Sequence, residues 1–198
     1  MISLIIFWRR ARLWSRPFSF DALYFSFMSQ ENLSRFVQLF TLNDAAATQR
    51  VSERLTLVLH DPAAYQTQFA EELEERGIVA ALPAQELRDL ALIDALLSQD
   101  LLWESDWQEK AGEIAEGLNE VLLQQKRTPL LRPAALLGRR EPGPEQLDTV
   151  QDALETLGLA LVLFTLDSDS YPLSVVADAQ AEEARQLAKE LGFGITVY

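Results

Sequence analysis

The chain has 198 residues, a formal net charge of −13, 48% hydrophobic residues and no cysteine. That length fits one domain, which buries roughly 70% of the surface its unfolded chain exposes. Disulfides, thiolate nucleophiles and Cys-ligated zinc or iron–sulfur sites are excluded, and a single histidine, His60, rules out a His-rich metal site.

Residues 1–27 differ from the rest. They hold Arg9, Arg10, Arg12 and Arg16 against one acid, Asp21, and they carry eight aromatic residues. The apolar run at 2–8 is too short to span a bilayer. Its arginines follow rather than precede it, unlike a secretory signal, and its aromatic content does not suit a transit peptide. A membrane-surface segment is one reading. The favoured expectation is a start at Met28, which places the head outside the native protein and lets Ser29 cap the first helix.

The body, 28–198, is read as one domain with a loop at 126–146. Leu33, Phe36, Val37 and Phe40 recur at helical spacing over 29–40. Asn43 or Asp44 then caps a helix whose inward face is Val51, Leu55 and Val58. Asp61-Pro62 is a cap followed by proline at the first helical position. The helix it opens carries Tyr65, Phe69 and Leu73 and stops at Gly77, with 71–75 as its solvated acidic face. His60, just before that start, reads as an exposed junction residue. Pro83 begins a helix that buries Leu87, Leu90, Ile93 and Leu97. Residues 101–107 suit a short strand, and Asp106 to Glu109 matches a capping box for a helix using Ala111, Ile114, Leu118 and Val121.

The stretch 126–140 has five basic residues and no acid, a local inversion of sign. It either neutralises the acidic helices of the chain or meets an anionic partner. Pro144 opens a helix with Leu147, Val150, Leu154 and Leu157 inward, ending at Gly158. A buried-type strand at 159–167, a polar turn and a strand at 171–177 follow. Asp178 is placed as the cap of the next helix, which ends at Gly192, and 193–198 closes as a strand. The predicted fold class is α+β: a helical N-terminal two-thirds packed with a small, mainly antiparallel C-terminal sheet in the order α-β-β-α-β, with helices on one face.

Two segments hold the candidate binding residues. In the first, Trp103 and Trp107 flank Glu104 and Asp106. Tryptophan beside carboxylates is the composition of an interface hot spot against a basic partner, and it also suits sugar stacking. The plainer alternative makes the tryptophans core residues and Asp106 a cap. The second is Asp167 and Asp169 after an apolar strand, followed by Tyr171. Asp-x-Asp in that position resembles the first motif of haloacid-dehalogenase-type phosphotransferases. Only 29 residues follow Asp169, too few for the rest of such a domain. It also resembles the metal motif of glycosyltransferases, but the helical region upstream supplies no nucleotide-binding half. A turn bonding its own backbone, a divalent metal held by Asp167 and Asp169, and a polar partner contact remain the three readings. Paired carboxylates from both segments would also suit glycoside hydrolysis, if close enough.

Leu92 to Leu96 with Asp106-Trp107-Gln108-Glu109, a helix, and then Leu166-Asp167-Ser168-Asp169-Ser170-Tyr171 resemble an uncharacterised bacterial domain-of-unknown-function family. Its members share "Asp-Trp" and C-terminal "Ser-Asp-Ser-Tyr" elements. The likeness covers about 45–198, with Gln108 standing where lysine is expected. The resemblance implies a bacterial cytoplasmic protein without an established activity, and it carries over no catalytic residue.

The leading functional expectation is a non-enzymatic protein-binding module, with an immunity-type protein against a basic partner as its specific form. Acidity and the excluded chemistries motivate it. The alternative is a divalent-metal-dependent enzyme or ligand binder at the Asp167/Asp169 turn. No cofactor, no nucleic-acid partner and no transmembrane segment are expected.

Overall fold

The computed structural model describes residues 20–42, 44–136 and 143–198. Residues 1–19, Asn43, and Arg139 and Arg140 of the basic stretch lie outside the described residues. In chain order the elements are α1 (Phe20–Thr41), α2 (Ala45–His60), α3 (Pro62–Gln68), α4 (Ala70–Glu75), α5 (Ala84–Leu97), β1 (Trp103–Asp106), α6 (Ala111–Gln124), α7 (Pro133–Leu136) and α8 (Glu145–Glu155). Strands β2 (Leu159–Phe164) and β3 (Ser170–Ala177), a 3-10 turn (Asp178–Gln180), α9 (Ala181–Leu191) and β4 (Ile195–Val197) complete the chain. This is the expected α+β fold, helical in its N-terminal part, with an all-antiparallel sheet in the order β1-β3-β2-β4.

The sheet is covered on both faces, not on one. Strand β2 shows why. Ala160, Val162 and Phe164 pack into a core built with α1, α2, α5 and α9. Leu159 and Leu161, between them, pack into a second core built with α6, α7 and α8. Side chains alternate across a strand, so an unbroken apolar run needs cover on both sides. Each large apolar side chain buried this way contributes roughly 1.5–3 kcal/mol.

Helix α5 lies deep in the first core. Its buried residues include Leu87, Asp89, the run Leu90 to Ile93, Asp94, Ala95 and Leu96, a belt too wide for one amphipathic stripe. Two carboxylates, Asp89 and Asp94, are therefore carried into the interior. Leu97, expected inward, is only half-buried.

Several local expectations shift. Helix α1 begins at Phe20, so Ser29 lies inside it rather than at its cap. Asp44 does cap α2, its side chain accepting from Ala47 N at 2.9 Å. Asp61 caps α3 by accepting from Ala64 N. That helix breaks at Phe69, where φ and ψ of −106° and 24° leave the helical well and start α4. Gly77, at φ +79°, ends α4 in the left-handed region that glycine enters without a Cβ penalty. His60 is exposed, and its Nδ1 lies 3.0 Å from the Thr56 carbonyl. Asp178 heads the 3-10 turn and makes no capping bond; α9 starts three residues later.

Candidate interaction site

Strand β1 leaves α5 through Leu101 and Leu102, both buried, and pairs with β3 so that Trp103 faces Leu173, Glu104 faces Pro172, Ser105 faces Tyr171 and Asp106 faces Ser170. Ser174 of β3 anchors the approach by donating its hydroxyl to Leu101 O at 2.7 Å. Trp103 is half-buried and lies flat on Gly117 of α6. A Cβ at Gly117 would sit 2.2 Å from the indole, so the close approach requires glycine there. Glu104 is held by Arg76 at 2.9 Å. Trp103 and Glu104 are thus committed to the fold.

The rest of the first segment faces outward. Trp107 is 44% exposed, one of three large apolar side chains exposed to that degree among the described residues, with Val79 and Leu123. Asp106 is exposed and accepts from Gln108 N at 2.8 Å, closing an Asx turn. It does not cap α6. That helix starts at Ala111, where Glu113 reaches back to accept from Lys110 N at 2.8 Å, and Gln146 Oε1 of α8 accepts from Ala111 N at 2.9 Å.

The second segment meets the first. Trp107 N donates to Asp169 O at 3.1 Å, extending the β1–β3 ladder past its last paired residues. The Ser168 and Ser170 hydroxyls lie 2.9 Å apart, and Ser170 N donates to Ser168 Oγ. Asp167 and Asp169 are exposed at this turn, and Tyr171 is half-buried against the α6/α8 core. Of the seven sequence-predicted residues, four are exposed: Asp106, Trp107 and Asp169 at the β1/β3 end, and Asp167 in the turn that precedes β3. Trp103, Glu104 and Tyr171 are half-buried. Among the described residues no group of three or more histidine or carboxylate side chains is placed to hold a metal ion.

Sequence reasoning missed a charged cluster on the opposite side of β1. Asp94 is 7% exposed and faces Arg76 at 2.7 Å and Arg54 at 3.5 Å. Arg54 also pairs with Glu72 at 2.9 Å, donates from Nε to Tyr65 Oη at 3.0 Å, and lies 4.0 Å over the Phe69 ring. Burial pushes the Tyr65 phenol up to about 12, against the opposing pull of Arg54. Burial also raises the Asp94 carboxyl, outweighing its two arginines. The cluster ties α2, α3, α4, α5 and β1 together. Its legible signal was one acid inside the apolar run of α5.

Within the basic stretch, Arg127 is half-buried. Arg127 donates from Nε to Gln125 Oε1 at 2.7 Å, and burial holds its guanidinium below the usual arginine value. A groove of about 740 Å³ lies between α1 and α2, lined by polar side chains such as Gln38, Thr48 and Ser52 together with Leu33, Ala45 and Glu53. None of the sequence-predicted residues lines it.

The architecture defines a class, an α+β domain whose antiparallel sheet is enclosed between helical layers. The family model described as "Domain of unknown function (DUF6630)" matches residues 32–198, and the chain belongs to that family. The matched span starts before residue 45 and takes in the second half of α1. Comparison with the curated proteins and with the solved structures gives no match. Among the described residues no helix is long and apolar enough to cross a membrane.

Proposed function

We propose that this chain is a non-enzymatic protein-binding module that engages a basic partner, in the manner of an immunity-type protein in the bacterial cytoplasm. One observation carries the reading. Trp107 is exposed at the end of β1, with its own backbone pinned to Asp169 and with Asp106 next to it. An exposed tryptophan beside carboxylates is the composition of a binding hot spot for a cationic surface. The net charge of −13 adds long-range attraction for the same partner.

The test is affinity capture by the full chain beside Trp107→Ala and Asp106→Lys variants. The native chain is expected to recover a basic protein. Trp107→Ala should weaken that complex by roughly thirtyfold, as for an interface hot spot of about 2 kcal/mol. Recovery of no protein partner, or equal recovery by both variants with unchanged circular dichroism, defeats the reading.

A further inference from the structure

Next to the turn at 167–170 is a groove of about 250 Å³. Its apolar surface comes from Ile78 and Leu82 before α5, Leu90 of α5, and Leu166 after β2. Three carboxylates, Glu86, Asp89 and Asp167, also line it. Asp89 is the unusual member. It is 8% exposed, almost as buried as Asp94 on the same helix, yet no described cation pairs with it. Its oxygens accept from two neutral donors, Gly194 N at 2.7 Å and Gln85 Nε2 at 2.9 Å. The adjacent Arg88 turns its Nε to Ala84 O instead. Glu86 and Asp167 are likewise outside every ion pair among the described residues. A buried carboxylate without a counter-charge costs stability that an incoming cation would recover.

We propose that this groove receives one lysine or arginine side chain of the basic protein partner, its stem on the apolar surface and its charged head among Asp89, Glu86 and Asp167. The proposal deepens the binding reading above and rests on it. Three features select this occupant. The volume is below the roughly 300–1,000 Å³ of small-molecule sites and suits a single side chain. The carboxylates are not gathered tightly enough to hold a metal ion, which leaves a larger organic cation. An apolar surface ending in carboxylates complements the amphipathic build of a long basic side chain.

The experiment is an amide NMR titration of the full chain with N-acetyl-lysine-N-methylamide. The norleucine analogue, with the same stem and no charge, and spermidine, a free polyamine, run in parallel at matched ionic strength. Saturable shifts are expected at residues 78–90 and 165–167, at least tenfold weaker affinity is expected for norleucine, and spermidine should bind no tighter than the lysine probe. A Glu86→Gln/Asp167→Asn double variant, changed only at exposed positions, should lose the lysine response by at least threefold. Asp89→Asn should lose more, if it folds. Absent shifts, equal response to norleucine, an unaffected double variant, or tenfold preference for spermidine each overturn the proposal. A chain that captures a basic protein through Trp107 but shows no such shifts keeps the binding reading and discards the groove.

Discussion

At the scale of single residues, what matters is how each interior charge is met. Asp94 and Asp89 leave one helix at similar depth, but Asp94 faces two guanidinium groups and Asp89 faces only an amide nitrogen and a carboxamide. Tyr65 shows the consequence of burial for titration. Its phenol is fully buried and pushed from 10.0 to about 12. The folded value lies above the unfolded one, so this contribution is fully present below pH 10.0 and is lost as pH rises through about 12. The native chain should therefore lose about 2–3 kcal/mol relative to Tyr65→Phe across that window. Urea denaturation at stepped alkaline pH measures it. Tyr198, also raised by burial, is common to both chains and cancels. Parallel pH profiles would refute the assignment.

At the scale of elements, one side chain joins three of them. Gln125, just past the end of α6, donates from Nε2 to Phe40 O in the last turn of α1 at 3.0 Å and to Val175 O of β3 at 3.1 Å. It is 5% exposed. Gln125→Leu keeps the bulk but strands two carbonyls and the Arg127 Nε, so a loss of about 2–4 kcal/mol is expected. Gln124→Leu at the neighbouring exposed position should stay within about 0.5 kcal/mol. Equal denaturation midpoints for the two variants would show that the bridge between helix and sheet contributes nothing.

For the molecule as a whole, the excess of acid is a standing strain. With a net charge of −13, self-repulsion opposes the compact state, and salt screens it. Raising ionic strength from 0.01 M to 0.15 M shortens the screening length from about 30 Å to about 8 Å. The thermal midpoint should rise over that range by roughly 2–4 °C for each kcal/mol relieved. A flat or falling midpoint would mean that local pairs already balance the field. The same titration should weaken capture of a basic partner, since attraction between unlike surfaces is screened by the same salt.

Local periodicity determined most of the element order. Helical spacing placed the inward faces of α2, α6 and α8, and the closing α-β-β-α-β run matches α8, β2, β3, α9 and β4. Cap and proline signals placed the starts of α2 and α3, because those bonds are made within a few residues. The sequence also carried both segments of the candidate surface, but not their meeting, which depends on β1 pairing with β3 across a long stretch of chain. Nor could it say which tryptophan would pack inward. Trp103 and Trp107 have similar neighbours in sequence, but Trp103 packs half-buried on Gly117 while Trp107 is exposed. The two-sided cover of the sheet was present in the unbroken apolar run of β2, yet which helices supply it is a matter of long-range packing. The unequal fates of Asp89 and Asp94 were decided in the same way, by which elements bring a cation within reach of α5.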